Sequence, residues 1–180
     1  MRLALLGIGI VLLMIGGANG QSVHDAELVK QLQKLFPTAA TFSPRGGSPA
    51  VFKAFGAASS GKTGELLGFA YWTTEVEPLE RGFDGPIKIL VGMNMSGLLT
   101  GIIVTENREP YGYFSVDLPE FAAQFKDKNI RDGFKVGVDV DAISRATISV
   151  TSASRAIRNS SRKVARAYLM PPGASAAAAQ

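Results

Sequence analysis

The sequence predicts an α+β fold: a mainly antiparallel sheet with a central hairpin and flanking helices. Three observations lead there. Two apolar runs, Ile87 to Asn94 and Leu98 to Glu106, are joined only by the polar, Gly-containing Met95-Ser96-Gly97, which is the pattern of a hairpin deep in a sheet. Strong helical periodicity gathers at the two ends of the chain, with one short helical stretch between them. Strands and helices do not alternate regularly as βαβ units would require.

Taken in order, Arg2 precedes an apolar run from Leu3 to Ile15 and then Gly16-Gly17-Ala18-Asn19-Gly20, which reads as a signal peptide over 1–20. The run is short for a membrane span, and the small residues Ala18 and Gly20 suit cleavage before Gln21, with an uncleaved anchor as the alternative. An exported, periplasmic location is the expectation. Residues 21–49 hold a helix and a connector. Leu28, Leu32, Leu35 and Phe36 fall at helical spacing between Asp25 and Phe36, Pro37 stops the helix, and Ser43 to Pro49 is rich in Gly, Pro and Ser.

The main domain is placed at 50–169. Ala50 to Phe55 and Glu65 to Val76 read as strands, followed by the hairpin, a short helix over Leu118 to Phe125 and a strand over Lys135 to Val140. After Thr147 the period becomes helical, with Ala153, Ala156, Ile157, Ser160, Val164, Ala167 and Tyr168 on the face that packs on the sheet. Ser149, Thr151 and Ser152 are the candidate N-caps. Pro171-Pro172 ends the helix, and 170–180 forms an alanine-rich tail expected to be disordered.

Cysteine is absent, so disulfides and cysteine-held metal centres are excluded, and redox chemistry requires an organic cofactor or an external metal. The net charge is +4, but five of the 19 basic residues, Arg155, Arg158, Arg162, Lys163 and Arg166, come from the last helix. Without them the basic residues no longer outnumber the 15 acidic ones, so the charge is local and nucleic acid is not an expected partner. The five read as the solvated face of a helix, with a surface for an acidic partner or anionic lipid as the alternative.

Gly56-Ala57-Ala58-Ser59-Ser60-Gly61-Lys62-Thr63 fits the G-x-x-x-x-G-K-[ST] phosphate-loop pattern. That motif needs a helix starting at its Lys-Thr end, because the helix N-terminus holds the phosphates. Here Gly64 and the strand-forming Leu66, Leu67, Phe69, Tyr71 and Trp72 follow, so the segment reads as a hairpin loop rather than a nucleotide site.

The chemistry is carried by Asp141-Ala142-Ile143-Ser144-Arg145-Ala146-Thr147. It resembles Asp-x-x-Ser/Thr-Gly-Ala-Thr, the pattern at which members of the FMN-binding domain family receive FMN through its phosphate on the final threonine. Asp141, Ser144, Ala146 and Thr147 match, whereas Arg145 replaces a glycine whose backbone shape an arginine adopts only with strain. Two further segments share the resemblance, which covers roughly Ala50 to Leu169. Arg81-Gly82-Phe83-Asp84-Gly85-Pro86-Ile87 resembles the family's Gly-Tyr-x-Gly-x-Ile segment before the hairpin, whose first strand continues with Val91-Gly92-Met93-Asn94. Glu106 to Gly112 resembles the His-x-Glu-Thr-Pro-Gly or His-Glu-Pro loop after it, with Glu109, Pro110 and Gly112 carried over and the histidine lost to Glu106 or Asn107. Within the family the likeness is greater to the exported flavin domain of nitrous-oxide reductase regulatory proteins than to flavin subunits of Rnf and sodium-pumping quinone reductase complexes.

The resemblance implies a flavoprotein with FMN in a phosphoester to Thr147. Asp141, Ser144 and Ala146 would define the target of an FAD-dependent flavin transferase, and Glu109, Pro110, Gly82 and Gly85 would lie near the flavin. It implies an electron carrier between redox partner proteins, membrane-associated ones among them, more than a catalyst. A phosphate on Thr147 would face the first amides of the following helix and the positive end of its dipole. Two alternatives stay open: a non-flavinylated binding or regulatory module of the same fold, and an enzyme with a dissociable flavin. Elsewhere, His24 reads as a surface histidine, Met93 and Met95 as packing or turn residues, and Asp139 and Asp141 lack a second catalytic group beside them. Tyr71 and Trp72 point to opposite strand faces, so one belongs to the core.

Overall fold

The computed structural model describes residues 25–58 and 64–170, so the expected signal peptide, His24, the last five residues of the phosphate-loop octapeptide and the expected disordered tail beyond Met170 lie outside it. Five strands, β1 (Thr41–Phe42), β2 (Phe52–Phe55), β3 (Leu66–Trp72), β4 (Lys88–Asn94) and β5 (Leu99–Glu106), pair in chain order, each antiparallel to the next. Helix α1 (Ala26–Leu35) precedes the sheet, α2 (Thr73–Val76) follows β3, and α3 (Pro119–Ala123) and α4 (Thr147–Tyr168) follow β5. The α+β architecture is as expected.

Both faces of the sheet are covered, which is why β3 and the stretch Ile89 to Met93 of β4 are apolar without alternation. Phe69, Tyr71, Ile89, Val91 and Met93 point to one side and pack with Val150, Ala153, Ile157 and Val164 of α4 and with Phe121 of α3. Ala70, Trp72 and Leu90 point to the other side and meet Leu28, Leu32, Leu35 and Phe36 of α1. Tyr71 and Trp72 do lie on opposite faces, but both are core residues, one in each layer. The α1 layer is thin. Gly92 and Gly101 pair across β4 and β5, and a Cβ on Gly92 would come within 3.0 Å of Leu35 Cβ, so the glycines let the helix settle close to the sheet.

The hairpin turn is held by Asn94, whose side-chain oxygen accepts from Ser96 N at 2.9 Å and Leu98 N at 3.0 Å, while Gly97 takes φ 78°. Met93 is buried and Met95 is exposed on that turn.

Several local readings change. The strand from Glu65 stops at Trp72, because Thr73 Oγ1 donates to Ile87 O at 3.3 Å and accepts from Ile89 N at 3.2 Å, turning the chain into the one-turn helix α2. Lys135 to Val140 is a turn and not a strand. Asp139 accepts from the backbone N–H of Phe134 at 2.8 Å and also from that of Lys135, Gly137 takes φ 81°, and only the isolated bridge Val136–Val140 remains. A local carboxylate thus satisfies the backbone that a ladder would have used. In α4, Ala167 is exposed, and Tyr168 closes the face by stacking on Phe69 at 5.0 Å and donating to Pro49 O at 2.7 Å. Ser149 and Ser152 are buried inside the helix and do not cap it.

The basic side of α4 is mostly engaged within the molecule. Arg155 pairs with Glu80 at 2.8 Å, Lys163 with Glu77 at 2.8 Å, Arg162 donates to Ile130 O at 2.8 Å and Asp132 O at 2.9 Å, and Arg158 reaches Gly133 O at 3.3 Å. These residues tie neighbouring loops to the helix. Among the described residues, no helix is long and apolar enough to cross a membrane.

Candidate functional site

Helix α4 starts at Thr147 with Ala146 as its N-cap, and no side chain caps its first turn. The N–H of Ala146 bonds Ile143 O at 3.1 Å and that of Val150 returns to Ala146 O at 2.9 Å, which leaves the amides of Thr147, Ile148 and Ser149 as the helix's unpaired donors among the described residues. Arg145, immediately before the N-cap, takes φ 68°. The position that the sequence marked as a glycine's is therefore left-handed, and an arginine occupies it at a cost of roughly 1–2 kcal/mol.

Two loops complete the site. In the first, Gly82 N donates to Gly85 O at 2.7 Å and closes a tight turn, with Gly85 at φ 135° against the Arg108 guanidinium. In the second, Asn107 Oδ1 accepts from Glu109 N at 3.0 Å and Asn107 Nδ2 donates to Asp117 Oδ1 at 2.6 Å, so the residue standing near the lost histidine shapes the loop.

Glu109 joins all three segments. Its carboxylate is buried, with only 7% of the residue exposed, and accepts from Phe83 N at 2.9 Å, Asp84 N at 3.1 Å and the Ser149 hydroxyl. Gly82 is needed beside it, because a Cβ there would overlap the carboxylate oxygens. Three donors and no cation surround this carboxylate, which makes Glu109 a structural clasp under the site.

Above the clasp lies a cavity of 270 Å³ lined by Phe83, Pro110, Tyr111, Arg145, Ala146, Thr147, Ile148 and Ser149. Its lining is mainly apolar, and Thr147 is exposed at it. Phe83, Tyr111 and Ile148 are exposed large apolar residues of the same rim. A larger groove of 660 Å³ lies at the other end of α4, against Arg131, Arg166 and Leu169, roughly 30 Å away along the helix, and holds none of the candidate residues.

The structure thus brings Thr147, Ala146 and Pro110 to one cavity, puts Glu109 beneath it, and sets Gly82 and Gly85 in the turn that Glu109 anchors. Asp141 and Ser144 stay outside the lining and are exposed, with Asp141 N donating to Gln124 Oε1 at 2.7 Å. Ser149, read in the sequence as a cap, is the partner of Glu109. Nothing in the spacing signals that contact, because its two ends are 40 residues apart. The exposed rim of Phe83, Tyr111 and Ile148 was equally hidden, since exposure of an apolar side chain depends on tertiary packing.

The phosphate-loop reading gains nothing from the fold. Gly64 leads into β3 at Leu66, so no helix follows the octapeptide. Among the described residues no group of three or more His, Cys, Asp or Glu is placed to hold a metal ion.

A search of characterised proteins finds no significant match to the chain. Residues 82–162 match the model of a family described as "FMN-binding domain", a span that takes in both loops, the central hairpin and most of α4 and that points to a flavin-binding role.

Proposed function

We propose that this protein is an exported electron carrier bearing FMN on Thr147 through a phosphoester, in the manner of the flavin domain of nitrous-oxide reductase regulatory proteins. The observation that carries the reading is the exposed Thr147 hydroxyl on the first residue of α4, beside three unpaired amides and a mainly apolar cavity, within a span that matches a flavin-binding family. The donor set fits a phosphate ester, which keeps one negative charge next to the positive end of a helix. The apolar walls from Phe83, Pro110 and Tyr111 fit an aromatic ring system.

Attachment is a displacement at phosphorus. Thr147 Oγ forms a bond to the FMN phosphorus of FAD, the pyrophosphate P–O bond breaks, AMP leaves with the electron pair, and the hydroxyl proton passes to a base of the transferase. Asp141 and Ser144 are exposed just before this threonine, where an FAD-dependent transferase would have to read its target. Once attached, the flavin supplies one- or two-electron transfer and the protein supplies orientation and polarity. A cavity of 270 Å³ lies below the size of pockets that enclose ligands of this kind, about 300–1,000 Å³, so part of the ring stays open to a redox partner. The exposed Phe83, Tyr111 and Ile148 form the rim on which that partner docks. The basic side of α4 is a poorer candidate surface, because four of its cations already hold this chain's own carboxylates and carbonyls.

A second reading, an unmodified module of the same fold, draws on one observation: Arg145 holds a left-handed backbone where the attachment pattern has glycine. Co-expression with an export-competent FAD-dependent flavin transferase, followed by intact and peptide mass spectrometry, separates the two. An FMN-sized adduct on the Thr147 peptide, absent in Thr147→Ala, supports the carrier. A wild-type chain that stays unmodified, both here and in native material, supports the module.

A further inference from the structure

We infer that Arg145 is the phosphate-binding cation of this site, so that the residue replacing glycine in the attachment pattern gives the protein a preference for phosphorylated flavin. The inference rests on the flavin reading of the cavity and deepens it by naming the side chain that selects the ligand. In the family pattern the position is a glycine and offers no side chain for this purpose.

Arg145 lines the same cavity as Thr147, two residues before it. It is exposed, and it makes no ion pair or side-chain hydrogen bond among the described residues, in contrast to Arg155, Arg158 and Arg162 on the same chain segment. No carboxylate lines the cavity to neutralise it. The buried acidic group of the site, Glu109, already accepts from Phe83 N, Asp84 N and the Ser149 hydroxyl.

An arginine that lines an apolar cavity without a counter-ion calls for an anion. Its planar set of donors matches two oxygens of a phosphate, a geometry that neither a lysine nor a helix terminus reproduces. The unpaired amides of Thr147, Ile148 and Ser149 supply further donors on the same side. A phosphate there lies within reach of the Thr147 hydroxyl, so one arrangement serves both recognition of the phosphorylated flavin and retention of the ester after attachment.

The test uses the full chain prepared without transferase, titrated separately with FMN and riboflavin by flavin fluorescence, in wild type, Arg145→Gly and Arg145→Lys. Wild type should bind FMN about tenfold more tightly than riboflavin, as one charge-assisted interaction predicts. The ratio of the two affinities within each variant should fall to near one in Arg145→Gly and to an intermediate value in Arg145→Lys. Raising the salt concentration should reduce the wild-type ratio. A wild-type ratio near one, a ratio unchanged in Arg145→Gly, or no measurable binding of either flavin overturns the inference. The outcome separates from that of attachment: a Thr147 adduct with no phosphate preference removes only the role of Arg145, and a preference with no adduct removes only the ester. Circular dichroism of Arg145→Gly, which relieves a left-handed arginine, verifies that the variant is folded.

Discussion

The buried carboxylate of Glu109 accepts a hydrogen bond from the hydroxyl of Ser149, linking the loop after the central hairpin to the first turn of α4. Because the same carboxylate takes the amides of Phe83 and Asp84, one side chain sets the spacing of the three segments that line the cavity.

Glu109→Ala should therefore destabilise the protein by about 3 kcal/mol, since it removes three hydrogen bonds to one charged group and leaves the buried Ser149 hydroxyl without its acceptor. For a chain of this size that lowers Tm by roughly 6–12 °C. Ser149→Ala should cost about 1 kcal/mol in the wild type and less in the Glu109→Ala background, because the two residues act through one contact. Thermal unfolding of both single variants and the double variant checks this; additive losses would show that the clasp is not one unit.

Arg145→Gly should raise stability. Releasing a left-handed arginine recovers roughly 1–2 kcal/mol, and the greater freedom of glycine in the unfolded chain returns about 0.4–1 kcal/mol of that. The net gain is under about 1.5 kcal/mol, read as an increase in the denaturant midpoint at unchanged m-value.

Thr147 is exposed and supplies no capping bond, so Thr147→Ala should change stability by less than about 0.5 kcal/mol. It should nevertheless remove the flavin adduct completely, whereas Thr147→Ser should still accept it, since only the hydroxyl enters the ester. Peptide mass spectra and melting curves on the same preparations test both statements. Loss of the adduct together with a large fall in Tm would show that the effect is structural.

Tyr71 is buried against α4 and donates to Ser161 Oγ at 2.7 Å. Burial pushes its phenol well above the ordinary tyrosine value, and the Ser161 hydrogen bond only partly opposes that. The folded state thus keeps this proton where the unfolded chain begins to lose it, near pH 10. Stability contributed by the neutral phenol is complete below that pH and declines as pH rises toward the elevated folded value. Tyr71→Phe should cost about 1 kcal/mol at neutral pH and should lose stability less steeply than wild type above pH ~10. Equilibrium unfolding across that range tests the sign.

The order of elements was legible from local pattern. Periodicity located α1 and α4, and two uninterrupted apolar runs located β4 and β5, because covered sheet faces and amphipathic helices leave regular marks. The candidate residues Thr147, Ala146, Glu109, Pro110, Gly82 and Gly85 were likewise visible as short motifs. Where the local reading failed, a side chain reached the backbone first: Asp139 folded 135–140 into a turn, and Thr73 ended β3 early.

By itself the sequence determined the α+β composition, the absence of cysteine chemistry, and the match of its motifs to a flavin-binding family. Only tertiary structure decided that Ser149 serves Glu109, that Tyr71 and Trp72 both belong to cores, and that four of five cations on α4 are already engaged. The physical reason is range. Helix period and strand run are set by neighbours a few residues apart, whereas burial of a carboxylate, exposure of an aromatic ring and neutralisation of a charge depend on segments that only folding brings together.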